Sequence, residues 1–148
     1  MILGFTGTRE EPTREQKTWL LSFVLGSGDD DRIDEFHHGC CVGSDEFSHR
    51  MAKQCLDLTI EQIVLHPPSN SKYEMKYTDW DYANCVWYPR KPYLDRNYDI
   101  VACSTQVVAL PKGPEVKQGS GTWHTIRATL RAKKPLIICY PDGEIDKR

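Results

Sequence analysis

Five short strand-like runs punctuate this chain, and stretches with a helical spacing of apolar residues lie between them. The runs are ILGFT (2–6), DEFHH (34–38), TIEQIVLHPP (59–68), QVVAL (106–110) and PLIICY (135–140). A brief apolar run bounded by glycine or proline suits a strand covered on both faces, and strands alternating with helices imply parallel pairing through crossovers. The expectation is therefore an α/β fold. It is a single Rossmann-like domain over residues 1–148, with a mostly parallel sheet of about five strands and helices on both faces.

The intervening segments carry helix signals of their own. Thr13 opens TREQ, a capping-box pattern, and Trp19, Leu20, Phe23 and Val24 share one apolar face before the chain breaks at GSGDDD. Those acidic residues read as a solvated turn. Ser44 is placed as the cap of a second helix bearing Phe47, Met51, Cys55 and Leu56. Residues 94–103 (LDRNYDIVAC) are predicted helical, and Ile126 and Leu130 mark a last helix. From Ser69 to Tyr93 the sequence is aromatic and polar without periodicity, a long excursion of the kind that is often functional.

Composition narrows the partners. No apolar run approaches the roughly 20 residues needed to span a bilayer, so no membrane association is expected. The start, MILGFTGTRE, reads as a first strand rather than a leader, which predicts a cytoplasmic location. The six cysteines include no CxxC pair and are expected to be reduced and buried. A net charge of -2 without a dense Lys/Arg run disfavours a strong grip on DNA, which rests on many phosphate contacts. A small ligand is the expected partner, and the sequence calls for no cofactor.

In open parallel sheets ligands bind beyond the carboxyl ends of the strands, and three loops there carry suitable residues. TGTR (6–9) offers Gly7, Thr8 and Arg9, as an anion contact or as a tight strand-to-helix turn. HHGCCVGSDE (37–46) offers Gly39, Gly43 and Ser44. Its Asp45 or Glu46 can meet a ribose hydroxyl, serve as a base, or simply favour a helix dipole. His37, His38, Cys40, Cys41 and His49 cluster nearby, but their spacing matches no tetrahedral zinc set, so no metal is predicted. The third loop, GSGT, brings Gly119, Ser120, Gly121 and Thr122. Their amides can wrap an anion while Thr122 caps the last helix. Upstream, Arg90 and Arg96 either close on that anion or lie on a solvated face.

The order GFTGTR, HHGCCVGSD, Arg96-Asn97 before an apolar strand, and GSGT before a helix resembles the SLOG superfamily over residues 1 to 140. That group includes the Lonely Guy (LOG) phosphoribohydrolases and the Rossmann-like domain of DNA-processing protein A. In LOG enzymes an Arg-Lys pair and a PGGxGTxxE loop flank an apolar strand; here Arg90-Lys91, QVVALP and GSGT match those parts. The catalytic glutamate of that loop falls at Thr125, and Pro111-Lys112-Gly113 is separated from GSGT by PEVKQ. Arg96-Asn97 resembles the DNA-processing-protein and stand-alone branches instead.

The resemblance implies binding of a nucleotide or nucleotide-derived signal, which the protein senses, carries or sequesters, and a homodimer. Phosphate is expected on residues 119–122 with Arg90 or Arg96, ribose near Gly43 to Asp45, and a base against Trp123, Tyr93 or Trp87. The alternatives are cleavage of an N-glycosidic bond, with Arg90 and with Asp45, Glu46 or Glu115 replacing the missing acid, and a DNA-associated role.

Overall fold

Strand β1 (Ile2–Gly7) buries the four residues from Leu3 to Thr6 consecutively, because both faces of the sheet are covered where it runs. A computed structural model describes residues 1–28, 31–56, 62–77 and 85–148. Asp29 and Asp30 of the acidic turn and residues 59–61 of the third run lie outside the described residues.

Around β1 stand β2 (Glu35–His38), β3 (Ile63–Leu65), β4 (Val86–Trp87), β5 (Gln106–Leu110), β6 (Leu136–Cys139) and β7 (Ile145–Lys147), in the order β4-β3-β2-β1-β5-β6-β7. Every neighbouring pair is parallel except β6 with β7. Among the described residues the sheet thus has seven strands, not the expected five. β4 is two exposed residues inside the aromatic excursion, too short for a periodic signal. β7 carries the polar sequence IDK and owes its pairing to the preceding turn, in which Gly143 takes φ +88° and donates to Tyr140 O at 2.9 Å.

Four helices follow the prediction closely: α1 (Arg14–Leu25), α2 (Ser44–Cys55), α3 (Tyr93–Cys103) and α4 (Gly121–Arg131). Helices α1 and α2 cover one face, over Leu3, Phe5, Phe36, Val108 and Leu110. Helices α3 and α4 pack together on the other, where Val107, Ala109, Trp123, Ile126, Leu136 and Ile138 form a smaller core.

The Thr13–Gln16 capping box is present in both directions, at 3.2 and 3.1 Å. Gln16 also donates to the carbonyls of Pro111 and Cys139, both at 2.9 Å, which moors the start of α1 to the ends of β5 and β6. Two predicted caps shift by a residue or more. Gly43, at φ +83°, precedes α2 and Ser44 is its first helical residue. At α4 the cap is Ser120, whose hydroxyl accepts from Trp123 N at 3.2 Å, rather than Thr122.

Candidate functional site

The chain leaves β1 toward β2 on one side, while β5 lies on the other side of β1, so the connections diverge at the carboxyl ends of these two strands. Such a switch point opens a crevice in a parallel sheet. A cleft of about 650 Å³ occupies it. TGTR contributes Gly7, Thr8 and Arg9 to its lining, and the second loop contributes Gly39 and Asp45. The GSGT segment supplies Gly119 through Thr122, and α3 supplies Arg96 and Asn97. Eleven of the predicted binding residues therefore share one cleft.

Arg96 is 5% exposed, and the fold holds it mostly through carbonyls. Its Nη1 donates to Gly39 O and to His66 O (3.3 Å), its Nη2 approaches Cys41 Sγ at 3.6 Å, and its buried Nε has no partner among the described residues. Beside it the buried carboxylate of Asp45 accepts from Cys41 N at 3.0 Å. Burial pushes the Asp45 carboxyl up to about 6, against the opposing pull of the Arg96 guanidinium. Burial also raises the Cys41 thiol, which argues against a thiolate nucleophile there.

The wall opposite is the start of α4. Its first amides have no preceding carbonyl to pair with, and Ser120 takes up only that of Trp123. Asn97 Nδ2 donates to Gly121 O at 3.4 Å, tying α3 to this terminus. Gly119 adopts φ +79° in open space, a conformation that other residues enter at a cost. At the rim the Arg9 guanidinium lies over Tyr73 (4.0 Å) and Tyr93 (4.9 Å), and Arg96 approaches the Tyr93 ring at 5.3 Å. Lys112 meets Glu10 at 2.5 Å, joining the loops after β5 and β1.

Other candidates lie elsewhere. Arg90 is clamped by both oxygens of Glu74 (2.8 and 2.9 Å) and by Pro68 O (2.9 Å), outside the cleft lining. Glu46 pairs with Arg50 at 2.6 Å on α2, and Glu115 is 55% exposed beside Arg127. Gly43 and Ser44 act in packing. A Cβ on Gly43 would come within 2.4 Å of the Arg9 and Glu10 carbonyls, and Ser44 Cβ would lie 2.3 Å from a Cβ on Gly7.

Among the predicted base platforms, Trp87 sits on exposed β4 against Tyr77, and Trp123 is buried with Nε1 donating to Gly113 O at 3.3 Å. The Tyr93 ring already carries two guanidinium groups. Thr125 is fully buried and its Oγ1 donates back to Gly121 O at 3.0 Å, so this position does not reach the cleft.

The histidines of the second loop pair among themselves. His38 Nε2 meets His49 Nδ1 at 2.9 Å, and His37 bridges His66 (3.0 Å) and Glu35 (2.9 Å). Cys40 N donates to His38 Nδ1 at 3.2 Å, which fixes the His38 tautomer. Burial depresses His66 to about 3 and His38 well below its ordinary range.

The Glu10–Lys112 pair in the cleft lining, and Tyr73 beneath Arg9 beside it, are features the sequence did not signal. Tyr73 lies in the aperiodic excursion and reaches Arg9 only through the fold. Among the described residues no helix is long and apolar enough to cross a membrane. Comparison with protein-family models, curated proteins and solved structures finds no match.

Proposed function

We propose that this chain is a SLOG-type binding protein that senses, carries or sequesters a nucleotide or a nucleotide-derived signalling molecule in the cleft between β1 and β5. The observation that carries this reading is Arg96, a buried cation with an unpartnered Nε, lining the same cleft as the free amides that begin α4. A buried guanidinium with unused donor capacity and a helix N-terminus are both stabilised by an anion, and a phosphate suits the pair. The cleft volume lies within the range of small-molecule sites. Asp45 is then the acceptor for ribose hydroxyls.

The test is a thermal-shift panel of nucleoside monophosphates, cyclic ADP-ribose isomers and cyclic dinucleotides, with chromatography of the recovered ligand. Binding predicts stabilisation with the ligand intact, and Arg96→Met abolishes that stabilisation. No stabilisation by any member overturns the reading. Asp45 favours a second reading, LOG-like hydrolysis of an N-glycosidic bond, because a cleft carboxyl with a raised pKa suits acid–base work. Released base in the chromatogram would establish it.

A further inference from the structure

The cleft has three lining cations, Arg9, Arg96 and Lys112, in different states. Lys112 is engaged by Glu10. Arg96 is buried, its Nη1 held by the carbonyls of Gly39 and His66 and its Nε without a partner among the described residues. Arg9 is exposed, and among the described residues it has no carboxylate partner and no hydrogen bond from its side chain. Its guanidinium is nevertheless fixed in place, lying over the half-buried rings of Tyr73 and Tyr93. Stacking of this kind leaves the in-plane donors free, and it lowers the side-chain entropy lost when they engage a ligand.

We infer that the ligand carries two phosphoryl groups rather than one, the first at Arg96 and the start of α4, the second bound in bidentate fashion by Arg9. The inference rests on the nucleotide reading above and assigns Arg9 as the residue that counts phosphates. A monophosphate satisfies the inner position and leaves Arg9, among the described residues the only unpaired, preorganised cation of the lining, facing water. A second phosphoryl group turns that exposed guanidinium into a charge-assisted pair. Both guanidinium groups border the Tyr93 ring, at 4.9 and 5.3 Å from its centre. A 5′-diphosphate and a 3′,5′-bisphosphate are two ways for one nucleotide to present a pair of phosphoryl groups there, distinguished by experiment.

Calorimetric titration in magnesium-free buffer with adenosine and guanosine 5′-monophosphates, 5′-diphosphates and 3′,5′-bisphosphates tests this directly. One bis-phosphorylated class should bind at least about tenfold more tightly than its monophosphate, the scale of one charge-assisted hydrogen-bonded contact. Arg9→Ala should reduce that preference to about twofold or less, so that mono- and bis-phosphorylated ligands bind it nearly alike, and Arg9→Lys should restore only part of the preference. Equal affinity of mono- and bis-phosphorylated ligands for the wild type overturns the inference and leaves the nucleotide reading standing. A preference that survives in Arg9→Ala also overturns it. Absence of binding by all six overturns the inference, and the nucleotide reading then stands or falls on the thermal-shift panel.

Discussion

Gly7→Ala isolates a contact that decides how closely α2 approaches the central strand. A Cβ added at Gly7 falls 2.3 Å from Ser44 Cβ and 2.7 Å from Ser44 Oγ. Carbon atoms settle at about 3.5 Å, so the pair is roughly 1.2 Å too close. Neither carbon can rotate away, since each is bonded directly to backbone. Relief requires α2 to retreat from β1, and that lengthens the 3.0 Å bond from Ser44 N to Thr8 O. Overpacking of this kind costs about 1–3 kcal/mol, offset by up to ~1 kcal/mol because alanine narrows the unfolded ensemble. A net loss of about 1–2 kcal/mol lowers Tm by about 2–8 °C in a chain of this size. Urea denaturation should show the midpoint fall at constant slope. Replacing Ser44 with glycine removes the colliding carbon, so Gly7→Ala/Ser44→Gly should recover at least about 1 kcal/mol relative to additivity. An unchanged midpoint in Gly7→Ala, or strictly additive losses in the double variant, would refute the close-approach account of both residues.

Asp45 and the buried histidines shift stability with pH in opposite directions. The Asp45 carboxyl titrates near 6 in the fold against 3.8 ordinarily, so it favours folding at low pH and that advantage is lost as pH rises from about 4 to 6. Asp45→Asn stays neutral, and its stability relative to wild type should grow by on the order of 2–3 kcal/mol between pH 4 and 7; parallel urea midpoints at the two pH values would sink this. His38 and His66 are held neutral in the fold, so their contribution is present above pH 6.5 and is lost as pH falls, by ~1.4 kcal/mol per pH unit for each. Two such groups outweigh Asp45, and the wild-type midpoint should drop from pH 7 to 5; a flat profile contradicts their burial as neutral rings. Thr125→Glu introduces a glutamate where the LOG-type pattern has one but places an unpaired carboxylate at a fully buried position. It should cost about 3–5 kcal/mol and confer no hydrolysis, read by denaturation and by chromatography of a nucleoside monophosphate; a stable, hydrolytic variant would show that the position faces the cleft.

What could be read from the sequence was what is local. The Thr13–Gln16 box depends on residues three apart, and the apolar runs of β1, β5 and β6 report burial on both faces directly. The order of TGTR, HHGCCVGSD and GSGT located the cleft because strand ends in a parallel sheet share one edge. What failed depended on distant partners. Arg90 and Arg96 look alike in sequence, and only Glu74, from an aperiodic segment, separates them by neutralising the first. Ser44 has the chemistry of a cap, yet Gly43 takes that role where a Cβ would strike the carbonyls of Arg9 and Glu10. β7 has no apolar signal because a hairpin at a sheet edge is specified by its turn.

The glycines and Thr125 then read differently than they did in sequence. Gly7, Gly39 and Gly43 make room for protein atoms, namely Ser44 Cβ, the Arg96 guanidinium and the Arg9 carbonyl, whereas Gly119 has open space around it. Three of the four are therefore explained by packing, and the conformational freedom of the fourth remains available to a ligand. On the wall that this loop begins, helical geometry turns Thr125 inward, against its own helix, to bond Gly121 O. With threonine at that position, Asp45 and Glu10 are the only carboxylates lining the cleft among the described residues, and Glu10 is occupied by Lys112. On the proposed reading, anion binding and glycosidic chemistry therefore separate onto different residues: the first would draw on Arg9, Arg96 and the amides that open α4, and the second on Asp45.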